Sequence, residues 1–485
     1  MRKLLIALAV LVILVGGFAA WIWKGTPAKH TLSELSGTAP LLVDPKEESI
    51  PSVSIAEPVG WAANEAPVAA QGLSVVRFAE GLDHPRTMLT LPNGDILVSD
   101  TRAPAAEGGG PLGWIADKLM SRAGATGPSP DTVVLLRDAD GDGKAEARFT
   151  LRKADLASPS GLAWGNGKLY IANHNAVLAF DYALGDTAVT GKPVKLMDLP
   201  PAGNHWMRNL LLSPDGKKLY VAVGSSSNIA ENGIEKEQGR AAIWEIDIAS
   251  GSHRQFASGL RNPNGLAWNP STGELWTTVN ERDQLGPDLV PDYLTNVPVG
   301  AHYGWPWVYY KQFTDERVQI TPPEFLDDYV RKPEYALGAH VAALGLAFDT
   351  GGHRLGANFS NGAFIARHGS WNRKPLTGYD VVFVRFDANG NPKGLPIPVL
   401  TGFLTGKGST HGRPTWVAWE KTGGLLVSDD TAGIIWRVIA TGAAPSVAPK
   451  FVTSSGMPPV KDLKGDPDEA RYSASFKPGD EGEVR

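Results

Sequence analysis

One unit recurs six times along this chain: an apolar strand, a turn containing Gly, Asn or Asp, and a second strand of alternating character. The copies read HPRTMLTLPNGDILVSD from His84, SPSGLAWGNGKLYIAN from Ser158, MRNLLLSPDGKKLYVAV from Met207, NPNGLAWNPSTGELWTTV from Asn262, LGLAFDTGGHRLGANF from Leu344 and RPTWVAWEKTGGLLVSD from Arg413. A further strand follows most of them, as in VVLLRD from Val133, VLAFDY from Val177, AAIWEIDI from Ala241, VVFVRFD from Val381 and GIIWRVI from Gly433. Helical periodicity is almost absent. Several short strands per unit, repeated at roughly 50 to 80 residues, match propeller blades carrying insertions better than a sandwich. The sequence therefore predicts an all-β, six-bladed β-propeller. Trp164, Trp268, Trp276, Trp419 and Trp436 recur on its strands, where a flat ring suits packing between blades.

At 485 residues the chain exceeds a typical domain, but a closed repeat architecture reaches this length as one unit. Its 46 Lys and Arg against 51 Asp and Glu leave a net charge of -5, the wrong sign for nucleic acid. With no cysteine, disulfides, thiolate zinc sites and a covalently attached c-type haem are excluded. Residues 4–23 form an uncharged apolar run long enough to cross a bilayer, with Arg2 and Lys3 before it and Trp21 and Trp23 at its far end. Residues 1–24 are read as a transmembrane helix, the minority reading being a cleaved signal. The positive-inside rule then places the N-terminus in the cytoplasm and the rest in the periplasm of a Gram-negative cell, at the inner membrane. Residues 25–70 read as a linker, 71–443 as the propeller and 444–485 as a Pro-, Gly- and charge-rich tail. Two insertions stand out, 103–130 with its amphipathic GWIADKLM and 283–339 with YGWPWVYY. Long ordered loops of this kind commonly build a binding face.

Polar residues cluster where innermost strands begin, at the mouth of the central channel where propellers bind ligands. The stretch GNHWMRNLLLSPDG puts His205, Arg208 and Asn209 at one such entry. Arg261 and Asn262 occupy the matching place in the fourth copy, His411 and Arg413 in the sixth, and His84 and Arg86 in the first. Cations aimed at one funnel imply an acidic ligand unless local acids pair with them. Separately, DADGDGKAE spaces Asp138, Asp140 and Asp142 two apart with Gly143 at the sixth position, which suits calcium better than a bare acidic turn. Its twelfth position is Phe149, so it is not an EF-hand, and Glu146 is the candidate to complete the shell.

The run GLRNPNGLAWNP, the loop NERDQLGPD from Asn280 and AHYGWPW from Ala301 resemble the quinoprotein glucose, aldose and sorbosone dehydrogenases, which bind pyrroloquinoline quinone. The resemblance covers roughly residues 73–440. It implies that His205 is the catalytic base and that Arg261 and Asn262 lie beside quinone and substrate, Arg261 stabilising charge on the quinone oxygen. Arg413 matches a quinone-binding arginine of the last blade, and Arg208 joins the cofactor candidates. Where the family has a lysine near the fifth blade, ARHGSWNRK offers Arg367, His368 and Arg373. Backbone oxygens of Glu281, Arg282 and Asp283 align with a calcium loop beside the cofactor, followed here by the insertion 284–287. Asn204 stands where the family often carries an Asp before the base. The implied activity is oxidation of an aldose, a sorbosone-like compound or a related hydroxy-aldehyde by hydride transfer to the quinone with Ca2+, using a separate electron acceptor. Two other classes share such propellers. A metal-dependent lactonase would use acids and Asn around one metal, against which Arg208, Arg261 and Arg413 argue. A non-catalytic binding propeller would turn over nothing.

Overall fold

The computed structural model describes residues 26–48, 53–104, 121–124, 127–324, 326–406 and 408–452. Among these residues, six antiparallel sheets of four or five strands form the blades of a propeller. Each blade begins with a repeat hairpin, whose first strand lies innermost. In the second blade, Gly161–Gly165 and Lys168–Ala172 are joined by Asn166 and Gly167 alone. Both turn residues have positive φ, 54° and 72°, the left-handed geometry that a two-residue hairpin needs and that Asn-Gly supplies cheaply.

The middle strands are buried throughout, as in Ile96–Asp100 and Leu425–Asp429, because a blade is covered by a neighbour on each face. The core is accordingly shared between blades. Leu97, Val133 and Leu135 of the first blade pack with Leu162, Leu169 and Ile171 of the second. The ring tryptophans also join blades: the Trp268 indole donates to the Leu212 carbonyl and that of Trp419 to the Phe348 carbonyl. Around the axis, short polar links from the inner two strands of one blade reach the innermost strand of the next. Ser428 Oγ donates to the Arg86 carbonyl, Thr87 Oγ1 to that of Ser160, and Thr278 Oγ1 to that of Leu344. The ring closes where Ser74–Ala79 pairs with Ile434–Ile439, so the last blade combines one early strand with three late ones.

Several expectations need correction. In the fifth copy the second strand is Gly362–Arg367, and the LGANF stretch forms the 3-10 turn Ala357–Phe359 instead. The insertion 283–339 is not only loop, because it contains Pro291–Asn296 and Tyr335–Ala339, the outer strands of the fourth blade. The linker is not a free tether either. Leu35 is fully buried, Ser36–Gly37 extends the fourth blade, Glu57–Pro58 pairs with Ser409–Thr410, and Val68–Ala69 extends the fifth blade. Polar composition hid this, since a strap held by backbone hydrogen bonds needs few apolar side chains. Residues 444–452 likewise lie on the propeller, through Ser446 to His353 and Val452 to Ser271. The apolar run 4–23 and the GWIADKLM segment lie outside the described residues, among which no helix is long and apolar enough to cross a membrane.

If the strap belongs to the cooperative fold, Leu35→Ala lowers the unfolding free energy by about 2–5 kcal/mol in urea titrations. A free tether would give no change.

Candidate active site

Two adjoining hollows open at the end of the propeller where the innermost strands begin. One, of about 500 Å³, is polar and lined by His205, Asn228, Arg261, Asn262, Glu281, Asp283, His340 and Asn372. The other, of about 350 Å³, is lined by Val53, Ile55, His84, Arg86, Trp206, His368, Arg413 and Asp430. Ala342 and Trp371 border both. Together they fall within the size range of small-molecule sites.

His205 has the geometry of a base. Its Nδ1 lies 2.9 Å from the Ser225 carbonyl and 3.0 Å from Ser225 Oγ. The carbonyl only accepts, and the hydroxyl already donates to the Ser227 carbonyl, so Nδ1 carries the proton and Nε2 keeps its lone pair. The Ser225 turn is braced by Glu237, whose carboxylate accepts from Ser226 and Ser227, and by the Ser225 N–H bond to the Arg261 carbonyl. Ser225 thus orients the ring, with Asn204 rather than a carboxylate preceding it. Gly224 is required beside it, because a Cβ there would stand 2.6 Å from the His205 Cβ. Burial, reinforced by Arg261, pushes the imidazole pKa down to about 3, so the ring is neutral.

Arg261 borders the hollow with its nitrogens already engaged. Nε donates to the Asn228 carbonyl, Nη1 to the Glu281 carbonyl at 2.7 Å, and Nη2 to Asn228 Oδ1 and Asp283. It acts through its field and by ordering the loop. Burial alone would raise the pKa of Asp283, but contact with His340 and Arg261 outweighs it and holds the group at about 2. Glu281 is pushed up to about 7 and Asp292 to about 6, chiefly by burial. In the second hollow Asp430 Oδ2 faces Arg86, His368 at 2.9 Å and His84 at 3.4 Å. Arg413 donates through Nε and Nη2 to the carbonyls of His368 and Gly369, and its guanidinium lies over the Tyr379 ring. The Arg86 Nε is buried without a partner among the described residues.

The other expected site residues divide differently. Arg208 is fully buried, and its guanidinium holds the carbonyls of His205, Met207 and Pro200, so it positions the base rather than touching a ligand. Asn209 beside it is buried with no partner for its amide among the described residues. Arg367 forms a paired contact with Asp380, and Arg373 binds Asp288 and the carbonyls of Pro287 and His30. Neither lines the hollows, because each guanidinium is consumed by nearby acceptors. His411 bonds the Gly60 carbonyl and stacks on Trp61, away from both hollows. The inference of an acidic ligand from converging cations is weakened accordingly, since Asp430 and Asp283 neutralise Arg86 and Arg261.

In the expected calcium loop, residues 281–283, two of the three backbone carbonyls also accept from guanidinium groups. The Glu281 carbonyl accepts from Arg261, the Asp283 carbonyl accepts from Arg282 Nε, and the Arg282 guanidinium pairs with Asp315. By contrast, carboxylate oxygens of Asp138, Asp140, Asp142 and Glu146 all lie within 4.8 Å of one another. That turn joins Thr132–Arg137 to Ala147–Arg152. Thr132 pairs with Asp100 at the hollow end of the blade, so the turn after Arg137 lies at the opposite end.

The sequence profile of the TrAA12-like family matches residues 133–296 and 311–441, more than half of the chain. The chain belongs to this family. Among relatives of this TrAA12-like protein, a pyrroloquinoline quinone-dependent sugar dehydrogenase of Hypocrea jecorina is 25% identical over 425 residues, 76% of this chain and 89% of the relative. An uncharacterized protein of Borreliella burgdorferi is 28% identical over 304 residues, 60% of this chain and 77% of that one. The solved structure of the Trichoderma reesei family AA12 carbohydrate-active enzyme shares the fold, with a TM-score of 0.63 at 22% identity, covering 80% of this chain and 99% of that structure.

Residues missed in the sequence include Ser225, Asn228, His340, Trp371, Asn372 and Asp430. Asp430 was discoverable, since it directly follows the sixth-copy strand ending in VSD.

A neutral His205 gives two expectations. Its imidazole carbon resonances do not titrate between pH 5 and 8 in a histidine NMR titration. In addition, the unfolded chain takes up a proton below about pH 6.5 that the folded ring refuses down to about 3. The stability linked to this group is therefore present above pH 6.5 and lost as pH falls, so His205→Gln shows a shallower acid loss in denaturant titrations.

Proposed function

We propose that this chain is a quinoprotein dehydrogenase that oxidises an aldose or related hydroxy-aldehyde, with pyrroloquinoline quinone as cofactor. The observation that carries the reading is His205: a neutral imidazole, its proton fixed on Nδ1 by Ser225, at the edge of a polar hollow in a member of the TrAA12-like family. The names of relatives supply the substrate class.

The residues fit the cofactor. Pyrroloquinoline quinone is a flat tricarboxylate, and Arg413 and Arg86 border the hollow, the Arg86 Nε without a protein acceptor among the described residues. Trp206 and Trp371 offer flat apolar surface beside them. When bound, the quinone supplies the acceptor for the hydride leaving the substrate carbon. His205 Nε2 takes the proton of the hydroxyl on that carbon, which eases departure of the hydride. Asn204, Asn228, Asn262 and Asn372 give the polar hollow the donors and acceptors that bind sugar hydroxyls. Arg261 keeps a positive field there while holding Asn228 and Asp283 in place.

A metal-dependent lactonase is less well supported. It needs converging metal donors, and among the described residues the group that converges is the Asp138 turn at the far end of the first blade. A chain without cysteine has no covalently attached c-type haem, so electrons pass to a separate acceptor. The apolar run 4–23 supports an inner-membrane anchor with the propeller in the periplasm. Calcium is assigned to the Asp138 turn as a structural ion.

With quinone supplied, the purified protein reduces a redox dye in the presence of an aldose, and His205→Gln lowers turnover about 100- to 10,000-fold while quinone still binds. Wild-type turnover in that variant would remove His205 from the chemistry.

Calcium raises the melting temperature of the wild type by binding the folded state, and Asp140→Ala abolishes that rise. Because the turn lies away from the hollows, turnover of Asp140→Ala at saturating quinone is unchanged. Abolished turnover with unchanged melting would join the two sites.

A further inference from the structure

We infer that the N-terminal strap is a clasp that retains the cofactor, Val53 and Ile55 forming the apolar wall that covers the quinone ring; this rests on the function proposed above. The strap crosses the open end of the propeller and is fastened on both sides of the hollows. On the fourth blade, Lys46 and Glu48 N–H groups donate to the carbonyls of Leu285 and Gln284, and Asp288 accepts from the N–H groups of Lys29 and His30. Arg373 bolts that junction by donating to both Asp288 and the His30 carbonyl. On the fifth blade, Ala28 N–H donates to the Lys374 carbonyl and Ser54 N–H to the Trp371 carbonyl, both at 2.7 Å. Just ahead of the sixth blade, Glu57–Pro58 pairs in parallel with Ser409–Thr410 in a small sheet of its own.

The Ser54 bond sets Val53 and Ile55 on either side of a fixed point, and both line the hollow of Arg86 and Arg413, opposite the polar hollow of His205. Each is half-buried and presents aliphatic surface to the hollow. Carbon walls with guanidinium donors at one end suit a flat, aromatic, anionic molecule. A sugar would leave its hydroxyls unpaired against Val53, Ile55 and Trp206. Residues 53–55 belong to no strand, so their side chains can change without breaking a blade.

The test is equilibrium binding of pyrroloquinoline quinone, by dialysis and by quenching of tryptophan fluorescence, with melting curves confirming the fold. V53S/I55S binds the quinone about tenfold or more weakly, because two aliphatic contacts are lost. V53I/I55V, which keeps the aliphatic volume, binds it as the wild type does. V53A/I55A, a milder truncation, serves if the serine variant melts early, and it too weakens binding. Wild-type affinity in the serine or alanine variant, or a change confined to the KM for sugar, overturns the clasp while leaving the function intact. A wild-type protein that takes up no quinone overturns both.

Discussion

Pairing of Ser74–Ala79 with Ile434–Ile439 is the contact on which the rest of this structure depends. It joins two strands more than 350 residues apart and turns a linear row of blades into a ring. Closure covers the blade faces that the two ends of an open array would expose, leaving only short, protected sheet edges. It also brings the entrances of all innermost strands to one mouth, so that His84, His205, Arg261, His368 and Arg413, each from a different blade, border the same pair of hollows. Loss of this pairing would leave the side chains intact and the site dispersed.

Burial then decides what those side chains are. His84, His205 and His368 are held far below the ordinary imidazole value, first by desolvation, while Asp430 is kept charged by the histidines and the arginine around it. A neutral base beside cationic neighbours is the state that proton abstraction needs. The same loss of solvent raises Glu281 to about 7 and Asp292 to about 6. Groups held in place and partly desolvated in this way make fixed charges count for more than they would in water.

Much of the site was legible because repeats carry positional information. His205, Arg261, Asn262 and Arg413 border the hollows, as expected from their place at strand entrances. Arg208, read from the same logic, and Arg367 and Arg373, read from the family resemblance, lie elsewhere, because a sequence displays a guanidinium but not its acceptors. Each was consumed by carbonyls or a carboxylate that folding brought near. The fifth hairpin misled for a local reason: in DTGGHRLGANF the apolar Leu355 and Phe359 imitate a strand, yet the backbone turns there and the strand begins only after Asn361. The strap was illegible, since its anchoring runs through backbone groups that every residue possesses.

By itself, then, the amino-acid sequence determined the blade unit, its number and the residue types at each strand entrance, because hairpin turns and alternating strands are local properties of neighbouring residues. Only the tertiary structure decided which cations border the hollows and which are tied to protein elsewhere, which guanidinium groups the Glu281 and Asp283 carbonyls accept from, and how residues 53–55 come to lie against Trp371. Those outcomes depend on groups far apart in the chain competing for the same few donors and acceptors. No local pattern records the result of that competition.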